Sequence, residues 1–292
     1  MVDGFLVIDK PAGITSHDVV SRVRRLAGTR RVGHTGTLDP FATGVLPVAV
    51  GEGTKAIPFL DEGEKEYEAE LLLGTVTDTL DHTGTVLQQS DWSTVTESAL
   101  LERMAELTGT ISQVPPMYSA IKQGGQPLYK LARKGVEVER QPRQVTIYRF
   151  DLLTCTLPTV TVRVRCSRGT YIRSLADDLG RLVGCGACLS ALRRTRSGPF
   201  AISTAITLEE LASLAAADCL SSVLVSPREA LNHLPEIVLE QEQAELVFHG
   251  RLPNLGFQDG PRRLTHDGRL VAVTELDQEQ RPVLRRVFHG NG

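Results

Sequence analysis

The chain has 292 residues, of which 41% are hydrophobic and 23% are charged, and its formal net charge is −3 at pH 7. This composition is typical of a globular protein with one large domain or two. No apolar run approaches the roughly 20 residues of a membrane helix, and the first residues lack the basic region of a signal peptide. Among the five cysteines, Cys185 and Cys188 form a CxxC, but no second pair stands at zinc-finger spacing and the seven histidines are scattered. We therefore expect reduced thiols, a cytoplasmic location and no metal.

Charge is unevenly distributed along the sequence. Residues 61–112 contain twelve acidic and two basic residues, whereas residues 115–143 contain two acidic and six basic residues. Residues 163–200 contain two acidic and eight basic residues. This segregation suggests one basic face on an otherwise acidic protein, for which a polyanion is a reasonable partner. Solvation of surface helices explains the same runs equally well.

The first fifty residues predict two buried strands and one helix. Phe5–Asp9 and Val45–Val50 are apolar segments typical of buried strands. Between them, Ser16 is a suitable N-cap for a helix over His17–Ala27, and Gly28 ends that helix. The helix has one apolar stripe, so we expect that face to pack against the core.

A loop rich in glycine and threonine precedes the second strand and contains Asp39. Pro40 biases Asp39 towards an extended backbone, so the carboxylate lies on a stiffened turn. Such a carboxylate can act as a nucleophile or as a general base. Spacing alone favours another use, in which Asp39 caps its own turn, because aspartate is a common turn residue.

Residues Lys65–Leu73 alternate between apolar and charged side chains, which predicts a half-buried strand. Tyr67 falls at the start of this strand on its inward face, where most aromatic residues belong to the core. A polar loop with Asp78 and Asp81 follows. Thr96–Leu107 is typical of an amphipathic helix.

A segment rich in proline, glycine, tyrosine and basic residues occupies positions 115–143. We interpret it as a segment that projects from the core and contains a short basic helix over Leu128–Lys134. Basic residues interleaved with Tyr118 and Tyr129 suit RNA phosphates and stacked bases, and a solvated loop has the same composition.

Two strands rich in β-branched residues are predicted at Val145–Phe150 and Thr159–Cys166. A helix over Ile172–Leu179 follows, with Gly180 as its C-cap. The segment Ala187–Arg194 comes next, and we expect it to be buried and to end in a basic rim.

Tyr171 and Arg173 lie at the predicted strand-to-helix junction, which is a frequent position for site residues. Arg173 is also compatible with a surface position near the helix start. The helix dipole gives a cation no help there, so an arginine gains from a carboxylate partner.

The amino-acid composition changes after position 204. An alanine-rich helix is predicted over Leu208–Ala217, and Ser221–Asn232 is typical of a linker. Residues 233–292 suffice for a compact β-rich unit with one helix and short strands. We therefore expect two domains, over residues 1–225 and 233–292.

Several sequence blocks stand in a characteristic order over residues 5 to about 200. They are Phe5–Ser16, Gly33–Pro40, Lys65–Tyr67 with Leu73–Gly74, Pro115–Lys122, Cys166–Arg173 and Leu192–Arg194. Together they resemble the TruB family of tRNA pseudouridine synthases. The remaining C-terminal residues match more weakly and resemble a shortened PUA-type RNA-binding module.

The resemblance implies an α+β fold, with a mixed, largely antiparallel central sheet flanked by helices and a small β-rich PUA-like C-terminal domain. It implies that the protein isomerises uridine to pseudouridine at position 55 in the T-loop of tRNA, without a cofactor, after the base is flipped out. Residues 115–143 correspond to a thumb-like insertion that grips RNA. We expect a monomer that binds the T-stem-loop and neither a metal nor a membrane.

The resemblance also implies roles for individual residues. Asp39 corresponds to the catalytic aspartate, Tyr67 to the tyrosine that stacks on the target base, and Arg173 to the arginine that ion-pairs with the aspartate. The expected substrate-binding residues are Lys10, His34, Tyr67, Tyr171 and Leu192. The expected RNA-binding residues are Lys122, Lys130, Arg133, Lys134, Arg193 and Arg194. Attack of the aspartate on C1′, attack on C6 and abstraction of the C2′ proton all stay open, as does the group that removes the C5 proton.

Two other function classes fit parts of the sequence. Gly33-His-Thr-Gly36 is a GxxG pattern, which clamps RNA backbone in KH domains and suggests a non-catalytic RNA-binding protein. A glycosidase would use paired carboxylates, but Asp39 has no evident acidic partner on a comparable loop. Turnover on a tRNA transcript separates these classes from a pseudouridine synthase.

Overall fold

The computed structural model describes residues 2–61, 63–119, 121–256 and 260–289. The chain divides into two compact units. The first unit contains residues 1–40, 44–61 and 198–292, and the second contains residues 41–43 and 62–197. The domain limits expected from the sequence, 1–225 and 233–292, stay a prediction. Across the described ranges, no helix has the length and apolarity needed to cross a membrane.

The regular elements alternate along the whole chain. The strands are β1 (Gly4–Lys10), β2 (Val32–His34), β3 (Thr43–Val50), β4 (Glu64–Leu73), β5 (Thr75–Thr77), β6 (Val86–Gln89), β7 (Gly109–Gln113), β8 (Lys122–Gln123), β9 (Gln126–Pro127), β10 (Arg143–Thr156), β11 (Thr159–Ser167), β12 (Ala187–Ser197), β13 (Phe200–Ala201), β14 (Glu236–Val238), β15 (Arg262–His266), β16 (Arg269–Leu276) and β17 (Pro282–Val287). The helices are α1 (Ser16–Leu26), α2 (Gly53–Ala56), α3 (Glu97–Glu106), α4 (Leu128–Ala132), α5 (Ile172–Leu182), α6 (Leu208–Ala216), α7 (Pro227–Ala230) and α8 (Gln241–Phe248).

The sheets are largely antiparallel, which confirms the predicted fold class. In the first unit, β3 pairs antiparallel with both β1 and β2, and a small C-terminal sheet has the order β14-β15-β16-β17. Its first pair, β14 and β15, is parallel, and the other pairs are antiparallel. In the second unit, the antiparallel order is β12-β4-β11-β10-β7.

One hydrophobic core in the first unit joins the N-terminal strands to C-terminal residues. Strand β1 contributes Phe5 and Val7. The C-terminal residues are Leu231, which follows α7, Val273 of β16, and Phe288, which follows β17. All of these side chains are buried. Strand β1, and strand β3 that follows the Asp39 loop and contributes Val45 and Ala49, therefore depend on C-terminal residues for their packing.

Helix α1 begins one residue earlier than the sequence suggested, and its N-cap is Thr15 rather than Ser16. The Thr15 side chain accepts a hydrogen bond from the Asp18 N–H, and the Asp18 side chain accepts one from the Thr15 N–H. This reciprocal capping box satisfies backbone donors that Ser16 as N-cap would leave open. The Ser16 hydroxyl is thus available for another contact.

Strand β4 follows the alternation predicted from its sequence, and every second residue is buried. Helix α5 packs on β4 and β12 within the same unit. The predicted C-cap at Gly180 is wrong, because α5 continues to Leu182. A Cβ atom at Gly180 would lie 2.2 Å from the backbone nitrogen of Ala187, so this glycine allows the helix to approach the start of β12 closely.

Candidate active site

Asp39 lies in the first unit, in an irregular loop between β2 and β3, and its side chain is half-buried. The residue before it, Leu38, is held by the buried hydroxyl of Ser16. The Leu38 N–H donates to Ser16 Oγ at 2.9 Å, and Ser16 Oγ donates to the Leu38 carbonyl at 3.2 Å. The loop is therefore tied to the first turn of α1 immediately before the aspartate.

The residue after the aspartate, Pro40, is held through its carbonyl oxygen. That oxygen accepts a hydrogen bond from the Gly13 N–H at 2.8 Å and one from Lys10 Nζ at 3.2 Å. Lys10 is fully buried, and its ammonium also donates to the Pro11 carbonyl at 2.9 Å. These contacts give Lys10 a structural role at the loop, and its predicted substrate contact stays a prediction.

His34 lies at the end of β2, opposite Val48 of β3, and is half-buried. It belongs to the same unit as Asp39 and Lys10. The other predicted catalytic and substrate-binding residues, Tyr67, Tyr171, Arg173 and Leu192, belong to the second unit.

Tyr67 lies on the buried face of β4, as predicted, with 7% of its surface exposed. Its neighbours across the sheet are Val164 of β11 and Arg194 of β12. Leu192 is also buried and stands opposite Ala69, two residues along β4. The structure therefore brings Tyr67, Leu192 and Arg194 together on one face of the sheet.

Arg194 is only 1% exposed, so the expected basic rim at the end of β12 is wrong for this residue. Strand alternation turns its side chain inward, like that of Leu192, and Arg193 is half-buried on the other side. A register shift between Arg194 and Arg196 breaks the alternation, and Arg196 is exposed. Arg193 Nη1 lies 3.4 Å from Thr43 Oγ1. The RNA-binding roles of Arg193 and Arg194 stay predictions.

Arg173 lies in the first turn of α5 and is buried. Its guanidinium donates from Nη1 to the Thr79 carbonyl at 2.9 Å and from Nη2 to the Tyr118 carbonyl at 2.7 Å. A carboxylate oxygen of Asp81 lies 3.6 Å from Nη1, and both side chains are almost completely shielded from water. Arg173 therefore ties together three segments of the second unit.

Asp81 is a candidate site residue to which the sequence analysis gave no role. Its carboxylate accepts hydrogen bonds from the Thr79 hydroxyl at 2.9 Å and from the Thr83 N–H at 3.0 Å. These bonds fold the loop around the aspartate as an Asx turn. The pattern Thr-x-Asp-x-Thr marks such a turn in the sequence, but it does not show that an arginine ninety residues later lies beside it.

Tyr171 is the N-cap residue of α5, and the amide side chain of Gln113 holds its backbone. The Tyr171 N–H donates to Gln113 Oε1 at 2.7 Å, and Gln113 Nε2 donates to the Tyr171 carbonyl at 3.1 Å. This two-point contact ties the helix start that carries Arg173 to strand β7.

The thumb-like segment presents basic residues to solvent. Lys130, Arg133 and Lys134 are exposed, and the Arg133 guanidinium lies 5.6 Å from the centre of the Tyr129 ring. The side chain of Lys122 lies outside the part of the chain that the structure describes. The exposed set suits phosphate contacts, and a stacked arginine and tyrosine offer a planar surface to a base.

Part of the basic stretch over residues 163–200 is neutralised within the sheet. Arg163 of β11 pairs with Glu68 of β4 at 2.6 Å, and Arg165 makes a two-point contact with Glu64 at 2.7 and 2.9 Å. These pairs lie on the outer face of the second unit. Among the described residues, no three His, Cys, Asp or Glu side chains are grouped to hold a metal ion.

The sequence of the chain matches a known protein family. The TruB family pseudouridylate synthase N-terminal domain matches residues 24–172, and the tRNA pseudouridylate synthase B C-terminal domain matches residues 173–237. The chain is 55% identical over 284 residues to tRNA pseudouridine synthase B of Geotalea uraniireducens, covering 94% of this chain and 92% of that protein. It is 52% identical to tRNA pseudouridine synthase B of Geobacter sulfurreducens, covering 94% and 93%.

Solved structures show a similar fold. A crystal structure of a Cbf5–Nop10–Gar1 complex contains a chain with a TM-score of 0.74 and 30% identity, covering 98% of this chain and 84% of that one. A structure of an H/ACA RNP bound to a substrate RNA containing 2′-deoxyuridine gives a TM-score of 0.73 and 27% identity, covering 98% and 85%.

The matches extend over almost the whole chain and confirm the resemblance inferred from the sequence blocks. They favour an enzyme over a non-catalytic RNA-binding protein or a glycosidase. The chain belongs to the TruB family of tRNA pseudouridine synthases, isomerases that modify tRNA.

Proposed function

We propose that the enzyme converts the uridine at position 55 in the T-loop of tRNA to pseudouridine, and that Asp39 supplies the essential carboxylate. The observation that carries the proposal is the hydrogen bonding of the loop at Leu38 and at Pro40, on both sides of Asp39. A carboxylate that must reach one atom of a substrate reacts faster when its orientation is fixed in advance.

In the proposed reaction the target base is flipped out of the loop, the C1′–N1 bond breaks, the base rotates and a C1′–C5 bond forms. No electron is gained or lost and no group is transferred. Asp39 attacks C1′, attacks C6 or removes the C2′ proton. Tyr67 holds the face of the base during rotation. Tyr67 or a water removes the C5 proton, and N1 takes up a proton, so the product is an isomer of the substrate. The family resemblance pairs Arg173 with Asp39, and a nearby cation would favour the ionised carboxylate.

The proposed substrate contact is the T-stem-loop, bound by a cytoplasmic monomer. Flipping a base costs a few kcal/mol, which phosphate contacts from the thumb offset. The exposed side chains of Lys130, Arg133 and Lys134 support this role. The small C-terminal sheet, as a PUA-like module, would add a second contact with the RNA.

The test is pseudouridine mapping on an unmodified tRNA transcript and on a T-stem-loop, with wild type and Asp39→Asn. Asp91→Asn is the matched control, because the Asp91 carboxylate is exposed and bonds to Ser93 in its own turn. We expect modification at position 55 with wild type and control, and none with Asp39→Asn, while all three bind the transcript. Activity of Asp39→Asn, or modification at another position, would contradict the proposal.

A further inference from the structure

The Ser16 hydroxyl does not cap helix α1. Thr15 caps α1, and Ser16, the first helical residue, is 2% exposed. Its hydroxyl lies against the backbone of Leu38, 22 residues away, and not against its own helix. A buried serine with this geometry serves a tertiary contact.

The contact has two hydrogen bonds to one residue. Ser16 Oγ accepts from the Leu38 N–H at 2.9 Å and donates to the Leu38 carbonyl at 3.2 Å. Leu38 is 4% exposed, so water cannot readily replace these bonds. A buried backbone group that loses its partner carries a desolvation penalty, and the backbone rotates to find another partner.

Rotation at Leu38 acts directly on Asp39, because the two residues share a peptide plane. The other end of the connection is rigid, since Val19, Val20 and Val23 bury the inner face of α1 in the core. The Ser16 hydroxyl thus fixes the backbone of Leu38 relative to helix α1, and the Leu38 backbone in turn sets the orientation of Asp39.

We propose that Ser16 is a positioning residue for Asp39, which it serves through the backbone of Leu38. This inference rests on the proposed function, in which Asp39 is the catalytic carboxylate. Ser16 is 2% exposed, so its side chain is shielded from a bound RNA. Its loss therefore slows the chemical step and leaves tRNA affinity unchanged.

The experiment compares Ser16→Ala with Ser21→Ala in single-turnover pseudouridine formation at saturating enzyme, and in tRNA binding. Ser21 is the matched control, because it lies on the same helix, is exposed and bonds to the His17 carbonyl one turn earlier. Displacement of a reacting group by about 1 Å can cost on the order of 100-fold in rate, so we expect Ser16→Ala to be slower by about 10- to 100-fold. We expect the Kd for tRNA to stay within about twofold of the wild-type value for both variants, since Ser16 is buried and neither substitution removes a positive charge that pairs with phosphate.

Backbone hydrogen exchange separates positioning from a general loss of structure. In Ser16→Ala, the peptide that contains Leu38 should exchange faster, while peptides from α5 and the C-terminal sheet keep wild-type protection. If Ser16→Ala does not fold, Ser16→Cys keeps the side-chain size with a weak donor and acceptor, and the same two readouts apply.

Three outcomes would overturn the positioning role of Ser16. A Ser16→Ala rate equal to that of Ser21→Ala overturns the proposal, as does a loss of rate that a matching loss of tRNA affinity explains. Faster exchange over the whole protein also overturns it. Asp39→Asn in the same assay tests the proposed function separately: if it is inactive and Ser16→Ala is fast, only the role of Ser16 fails, whereas an active Asp39→Asn removes both.

Discussion

Glu52 is expected to stabilise the protein at neutral pH and to lose this effect in acid. Its carboxylate accepts hydrogen bonds from Arg31 Nη2 at 2.6 Å, from Lys55 Nζ at 2.7 Å and from the His289 N–H at 3.0 Å. Burial alone would raise the pKa of Glu52, but the hydrogen bonds from Lys55, His289 and Arg31 outweigh it and lower the pKa from 4.5 to about 2. The cluster joins the N-terminal region to the end of the last sheet.

The size of the effect follows from the pKa. The difference between 4.5 and about 2 corresponds to roughly 3 kcal/mol, at about 1.4 kcal/mol for each pH unit. The side chains of Arg31 and Lys55 are 53% and 29% exposed, so solvent screening reduces this figure to about 1–2 kcal/mol. Since the folded-state pKa lies below the unfolded-state pKa, the contribution is complete above about pH 4.5 and disappears as the pH falls towards 2.

The assay is urea unfolding of wild type and Glu52→Gln at several pH values between 7 and 3.5. We expect the variant to be less stable by about 1–2 kcal/mol at pH 7, with a difference that narrows below about pH 4.5. Glu102→Gln is the control, because the Glu102 side chain is 67% exposed and its removal should change little. A difference for Glu52→Gln that is constant from pH 7 to 3.5, or absent at pH 7, would refute the reasoning.

Asp81→Asn removes a charge beside buried Arg173, so we expect a loss of about 3 kcal/mol in stability and slower pseudouridine formation, measured by unfolding and single-turnover kinetics. An unchanged free energy of unfolding would show that the Asp81 charge does not support Arg173. Glutamine substitutions at three exposed basic residues of the thumb-like segment should weaken tRNA binding and reduce the slope of log affinity against log salt concentration by up to about three, measured by filter binding between 50 and 200 mM salt. The substituted residues are Lys130, Arg133 and Lys134. A salt dependence equal to that of wild type would place them outside the interface.

Local patterns in the sequence were sufficient to predict those structural features that depend only on neighbouring residues. The alternation in Lys65–Leu73 correctly predicted β4 and the inward direction of Tyr67, because side chains in a strand have a period of two. The glycine, threonine and proline around Asp39 correctly predicted an irregular loop before a buried strand.

Features that depend on strand register were not visible in the sequence. The acidic stretch over residues 61–112 and the basic stretch over residues 163–200 suggested separate surfaces. In the structure β4 and β11 lie side by side, so Glu68 faces Arg163 across the sheet. The same limit applies to Asp81 and Arg173, and to Ser16, whose partner is a backbone group that no side-chain pattern reveals. Register and tertiary contacts over dozens of residues decide these pairs.

The shared core of the first unit also bears on how the protein can be divided. Phe5 and Val7 of β1 pack with Leu231, Val273 and Phe288, which come from the last quarter of the chain. Removing that quarter would expose apolar surface on β1 and on β3, the strand after Asp39, and such surface promotes aggregation. The C-terminal part is therefore not an exchangeable cassette: a chimera that replaces it has to supply matching side chains for the face of β1.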